Sequence, residues 1–397
     1  MKKLYYSDLF TSDFLILGFY VVIFAFVLLG ALQAFNIKAT KSKLIILFFF
    51  FFYNALIYLD YRFNFIPFLP DSGQYDVLFK TGRVFPDMSK SLFGFFYVIK
   101  VLRVLFLKNI LVYISFQVLL YFVSVLIFYR SWFVLYEAKR PKGFEQLFLI
   151  LALAVPSAFL YHLVPLRECF TTLGFSIALY FLLVVFKNRA TLNFGFLGGL
   201  FIVIMTRVQV AFYFILSLMG VKFSLDRNVF RKLLGLSLGV ILFLGVLIGL
   251  TNYNISPKSL ASVRNYRVEK YSGSYGNVKW TSYKDVVISS PLLISQFLLS
   301  PLPILHDKNP LEMRLIFLDA MFMLCIWIIV LLNFRKWITR YRIWFLLMII
   351  YIFLFGIYEF NIGGAVRHRL PLSLMAILLA SQFLSEQIYM FNKKLNA

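Results

Sequence analysis

The chain has 397 residues, 61% of them hydrophobic, with a mean hydropathy of +0.85. A soluble domain of this length cannot hide that much apolar surface, which excludes an ordinary globular enzyme and places the chain in the membrane class. Forty Lys and Arg against 17 Asp and Glu give a formal charge of +23. These cations sit mainly in short segments between apolar runs, where the positive-inside rule accounts for them; no basic stripe suits nucleic acid, so no nucleic-acid partner is expected.

A spanning helix needs about 20 mostly apolar residues. In chain order the apolar runs cover roughly 14–34, 44–59, 109–129, 144–160, 168–186, 194–206, 209–221, 233–251, 315–333, 343–358 and 371–388. The pattern predicts an all-α, polytopic transmembrane bundle of about eleven membrane segments, forming one integral membrane domain over 1–397. The run from Phe14 is too long for a signal-peptide core and reads as a retained anchor. The pair 194–206 and 209–221 is too short for two full spans and reads as a hairpin turning within the membrane or as one kinked element.

Basic segments follow alternate runs: Lys38 to Lys43, Arg130 to Lys142, Lys187 and Arg189, Lys222 to Lys232, Arg335 to Arg342, and Lys393 with Lys394. If the helices alternate and the short pair returns to its starting side, all of these lie on one face, the cytoplasmic one. Outer loops are then expected over about 60–108, 252–314 and 359–370. The first two each hold an apolar stretch, Ser91 to Phe106 and the proline-interrupted Val286 to Leu302, that suits an interfacial or re-entrant helix.

Five clusters carry potential chemistry. Asp71 and Asp76, with Tyr75 between them, stand where a helix gives way to a loop; a carboxylate there can deprotonate a sugar hydroxyl, or Asp71 can simply cap a helix. Arg167 and Glu168 enter a strongly apolar run, where ionisable groups are costly, and as neighbours on one helix they do not face each other. Arg207 sits at the turn of the short pair and requires an anionic partner or a wet cavity. Arg264 and Arg267 lie in a loop interleaved with Tyr266, Tyr271, Tyr275, Trp280 and Tyr283, a mixture suited to a phosphorylated sugar or to an aromatic belt. Arg367, His368 and Arg369 precede the last run on the face where positive charge is disfavoured, after Gly363 and Gly364, which allow close backbone approach to a ligand. In an extended segment both arginines point the same way; in a helix they diverge by about 200°.

Cys169 and Cys325 are far apart inside apolar runs and read as small buried hydrophobes. His162, His306 and His368 have no zinc-ligand spacing, and no Walker loop or dinucleotide fingerprint is present. No cofactor is evident from the sequence and no metal site is assigned, although a divalent metal stays compatible with the chemistry. Energy must then come from an activated substrate or an ion gradient.

The order of these clusters resembles the GT-C superfamily of polyprenyl-phosphate-dependent glycosyltransferases, and also the Wzy and EpsG polysaccharide polymerases. Asp71 and Tyr75 followed by the Ser91 to Phe106 stretch, then Pro165, Arg167 and Glu168, then Arg207, and a late Arg367-His368-Arg369-Leu370-Pro371 carry the likeness. Ser72 after Asp71 and the extra N-terminal helix depart from the GT-C pattern, and the short length tilts toward the polymerases. The resemblance implies a multi-pass protein of the bacterial plasma membrane that polymerises polyprenyl-linked repeat units on the outer face. Asp71 and Asp76 would be catalytic; Tyr75, Arg167, Glu168, Arg207, Arg264, Arg267, Arg367, His368 and Arg369 would bind substrate. Partners would be the polyprenyl-linked glycan, membrane lipid and a chain-length regulator in the same membrane. Addition of one sugar from a polyprenyl monophosphate is the second reading. A lipid-linked oligosaccharide flippase is the third, disfavoured because the chain lacks the internal repeat that transporters show.

Overall fold

A computed structural model describes residues 9–66, 70–82, 95–136, 141, 143–188, 193–225, 256–270, 274–275, 277–302 and 310–395. The expected run over 233–251 and His306 lie outside the described residues. Within them the chain forms sixteen helices and no strand. These are α1 (Thr11–Ala34), α2 (Thr40–Phe63), α3 (Pro70–Thr81), α4 (Phe95–Leu105), α5 (Ile110–Leu135), α6 (Phe144–Leu153), α7 (Pro156–His162), α8 (Glu168–Asn188), α9 (Phe194–Thr206), α10 (Val208–Leu225), α11 (Pro257–Lys270), α12 (Tyr283–Leu299), α13 (Pro310–Leu332), α14 (Phe334–Arg340), α15 (Arg342–Tyr358) and α16 (Ile362–Leu395). Among the described residues six helices are long and apolar enough to cross a membrane, and up to eight spans result if α6 with α7 and α14 with α15 each count as one. The chain is thus an all-α, multi-pass membrane protein. It divides into two compact units, 1–210 with 384–397, and 211–383.

In the first unit α5 is the centre. Its residues are buried almost all round, and α1, α2 and α8 pack on it. The outward faces of α1 and α2 are apolar: Leu15, Phe19, Phe26, Phe48 and Phe51 are exposed. Polar side chains are turned inward instead, as with Asn54 and Ser115, joined by a 2.5 Å hydrogen bond. Apolar outside and hydrogen-bonded inside is the pattern a lipid solvent selects. α8 and α9 approach closely through Gly174 and Gly199; a Cβ at Gly199 would stand 2.5 Å from the Ala178 nitrogen. α4 has eleven residues, about 16 Å of helix, too short to span. It is tied to α1 by the Tyr20 hydroxyl donating to the Leu105 carbonyl at 2.6 Å, and it exposes Tyr97, Val101 and Val104, as an interfacial helix does.

The single apolar run at 144–160 is two helices bent by 50°, because Pro156 opens α7 and cannot continue α6. The carbonyls this break releases are taken by tyrosines of neighbouring helices. Tyr121 donates to Ala152 at 2.5 Å and Tyr53 to Leu153 at 3.0 Å, and in the segment after α7 Tyr113 donates to Leu166 at 3.2 Å. This satisfaction lets an irregular stretch persist inside an apolar bundle.

The second unit contains α11 to α15, with α10 and α16 from 211 and up to 383. α12 packs on α13 and α15. α14 and α15 meet at 110° around Tyr341. The last apolar run of the sequence covers roughly 371–388; the helix that carries it starts at Ile362 and holds Pro371 in its interior. Most of the 359–370 segment is therefore helix rather than loop.

Candidate functional site

The expected site residues fall into one group in each unit. In the first unit α3 begins at Pro70, so Asp71 is its second residue and not the residue before it. A proline at the first helical position explains that start. Tyr75 and Asp76 are buried, with the Tyr75 ring edge-on to Phe95 of α4 at 6.4 Å. Asp76 lies 3.5 Å from Lys80, one turn on. Arg103 of α4 donates to the Lys80 carbonyl through Nε at 3.1 Å and a terminal nitrogen at 2.9 Å. Its charge thus sits at the C-terminal end of α3, where the helix dipole favours it.

Glu168 opens α8, and Arg207 is the single non-helical residue between α9 and α10. Their side chains form an ion pair at 2.5 Å, both largely buried. The anionic partner that Arg207 requires is therefore Glu168, which sits at a helix N-terminus where the dipole also favours a carboxylate. Arg167 is half-buried; its carbonyl starts α8 by accepting the Phe170 N–H at 3.1 Å.

In the second unit the cations separated in sequence converge on the junction of α15 and α16. An Arg264 terminal nitrogen donates to the Ile357 carbonyl at 2.7 Å. Arg267 lies over the Phe360 ring at 5.8 Å. The Tyr275 N–H donates to the Phe360 carbonyl at 2.8 Å, and Ser274 bridges to Asn361. His368 pairs with Glu359. Burial pulls the Arg264 pKa down, against the raising influence of Tyr275 and Glu359. The Tyr275 hydroxyl is buried, meets no hydrogen-bond partner among the described residues, and has its pKa raised by burial and by Glu359. Pro257–Lys270 and Glu359–Arg369 together carry six Lys and Arg against two Glu.

Arg367 and Arg369 diverge because both lie in α16. Arg369 is 1% exposed. It pairs with Asp319 of α13 at 2.5 Å and donates to the carbonyls of Phe297, Leu298 and Ser300 at the end of α12. It is a clamp between three elements. Arg367 is half-buried and donates through Nε to Gly363 in its own helix at 3.2 Å. The close approach that Gly364 permits is made by a protein side chain: a Cβ there would lie 2.5 Å from the Glu359 carboxylate.

Two acidic partners escape a motif reading, Asp319 and Glu359. Asp319 stands alone in an apolar run, and that isolation is the available signal, since a carboxylate within a span requires a partner. Beside α12, Lys279, Trp280, Ile288 and Leu292 line an open cavity of about 300 Å³. Asp285 on its wall is committed to capping α12; hydrogen bonds from Thr281 and Ser282 hold its pKa at about 2. Among the described residues no group of three His, Cys, Asp or Glu is placed to hold a metal ion. Comparison with protein-family models, with curated proteins and with solved structures gives no match.

Proposed function

We propose that this protein is a glycosyltransferase of the bacterial plasma membrane, working on the outer face with a glycan carried on polyprenyl phosphate or diphosphate, and that its main reaction is polymerisation of surface-polysaccharide repeat units. The observation that carries this reading is the convergence of Arg264, Arg267, His368 and the Tyr275 hydroxyl on the α15–α16 junction. A largely buried basic cluster with a hydroxyl donor at the end of apolar helices suits a phosphate whose lipid tail stays in the membrane. The leaving group is a phosphate, stable as an anion, so catalysis needs preorganised positive charge more than an acid. In this reading about eleven segments cross or enter the membrane, and Arg264, Arg267 and Arg367 of the second unit face the phosphate.

The rival is a lipid-linked oligosaccharide transporter, and one observation favours it: the buried ion pair Arg207–Glu168 lies at the break between α9 and α10, as transport sites lie at discontinuous helices. A deletion strain separates the two. Loss of a polymerase leaves a single-unit glycan on the acceptor lipid at the cell surface. Loss of a transporter leaves no surface product and lipid-linked units trapped inside. Absence of the single-unit species would defeat the polymerase reading, and unchanged long chains would defeat both.

A further inference from the structure

The glycosyl-transfer reading needs a group that takes the proton of the attacking hydroxyl, and the α15–α16 junction holds a carboxylate–imidazole pair whose outer ring nitrogen, His368 Nε2, is buried. Glu359 is buried, 3% exposed, at the turn. Its Oε1 accepts the N–H of Phe360 at 3.1 Å and of Asn361 at 3.2 Å, and its Oε2 accepts from Nδ1 of His368. Burial alone would raise the carboxyl pKa, but the His368 charge and these hydrogen bonds outweigh it and bring it to about 2. The carboxylate is therefore ionised, and because it accepts the Nδ1 proton, loss of the ring's charge leaves the lone pair on Nε2. The ring is held further by Phe355, 5.7 Å away, and by the Tyr351 hydroxyl donating to the His368 carbonyl at 2.5 Å. Glycine at 364 leaves the space the carboxylate fills.

We propose that His368 is the catalytic base of the transfer and that Glu359 is its positioning residue; this rests on the glycosyl-transfer reading. The acceptor oxygen bonds to the anomeric carbon, the bond from that carbon to the phosphate oxygen breaks, and its electron pair leaves with the phosphate. The hydroxyl proton passes to Nε2, giving an imidazolium opposite the Glu359 anion, and is then released to the phosphate product or to water. A buried carboxylate behind an imidazole performs this service for hydroxyl nucleophiles elsewhere. The neighbouring charged and titratable groups are Tyr275 and Arg264 beside Glu359, Arg367 on the same helix, Arg369 with its partner Asp319, and Tyr351. Arg264 and Arg367 stabilise the departing phosphate, Arg369 stays bound to Asp319, and the carboxylates limit the effect of these cations on the imidazole.

The experiment uses the full-length protein purified in detergent and the lipid-linked glycan extracted from the deletion strain, with the transfer rate followed from pH 5 to 9. The wild-type rate should rise with pH along one limb set by His368. His368→Gln should lower the rate by about 10²–10⁴-fold, the usual contribution of a general base. Glu359→Gln should move the limb to lower pH, because removing the anion makes the imidazole a weaker base. Asp71→Asn should leave the limb in place. Wild-type rates in His368→Gln, or a Glu359→Gln limb unmoved from that of the wild type, would overturn the assignment and leave the pair a purely structural tie. If Glu359→Gln fails to fold, Asp71→Asn decides against His368: loss of the limb in that variant moves the base to α3. Failure of the wild-type protein to convert the glycan at any pH would overturn the glycosyl-transfer reading itself, and this assignment with it.

Discussion

Replacing Arg369 by alanine removes a cation and leaves Asp319 as an uncompensated charge within a membrane helix. Both side chains are 1% exposed. Breaking one partner of such a pair costs about 3–5 kcal/mol. The carbonyls of Phe297, Leu298 and Ser300 lose their shared donor at the same time, about 1 kcal/mol each by the usual net value of a hydrogen bond. The total approaches or exceeds the whole margin of many folded domains, so Arg369→Ala should be barely present in membranes. Arg367→Ala removes a half-buried side chain that donates to Gly363 in its own helix, and should cost much less than Arg369→Ala. The double change Arg369→Met with Asp319→Leu should recover most of the stability, since an apolar pair can replace a buried ion pair without loss. The assay is thermal unfolding of purified protein in detergent, with membrane abundance measured beside it. An Arg369→Ala protein that melts with the wild type, or a double variant as unstable as the single one, would refute the clamp.

Three further outcomes follow from the same geometry. Glu359 has its pKa lowered from 4.5 to about 2 on folding, so its contribution is full above pH 4.5 and is lost as the pH falls toward 2; acid unfolding in that window should be shallower in Glu359→Gln than in the wild type. Gly199→Val should destabilise the α8–α9 contact by several kcal/mol and lower abundance, because even its Cβ meets Ala178 backbone at 2.5 Å, whereas Gly198→Ala, with nothing within 4 Å, should melt within about 0.5 kcal/mol of the wild type. Single cysteines at the exposed positions Gln74 and Asn277, in a background without Cys169 and Cys325, should react with an impermeant thiol reagent on intact spheroplasts; labelling only after lysis would invert the orientation.

The long apolar runs were legible because lipid-facing and buried residues are both apolar, so α1, α2, α5, α8 and α13 announce themselves by composition alone. Helix starts governed by proline were not. Pro371 reads as a beginning, yet it lies inside α16, where a missing N–H is tolerated in a membrane helix. Pro70 does begin a helix and displaces Asp71 from the cap. The charged clusters were visible as violations of the apolar pattern, and Arg207 was readable as a residue in need of an anion. Which anion it meets was not, because Glu168 lies 39 residues away and only the fold brings them together. Arg369 shows the same limit. Its sequence neighbours suggest a ligand site, and its actual partners, Asp319 and the end of α12, are 50 and about 70 residues distant.

The most direct test of the central claim is to reconstitute the purified protein in liposomes with lipid-linked glycan extracted from the deletion strain. One polyprenyl phosphate or diphosphate should be released for every glycosidic bond formed, with the glycan lengthening, and Arg264→Ala should abolish both together. Glycan that crosses the bilayer without lengthening and without release of the carrier phosphate would contradict the central claim.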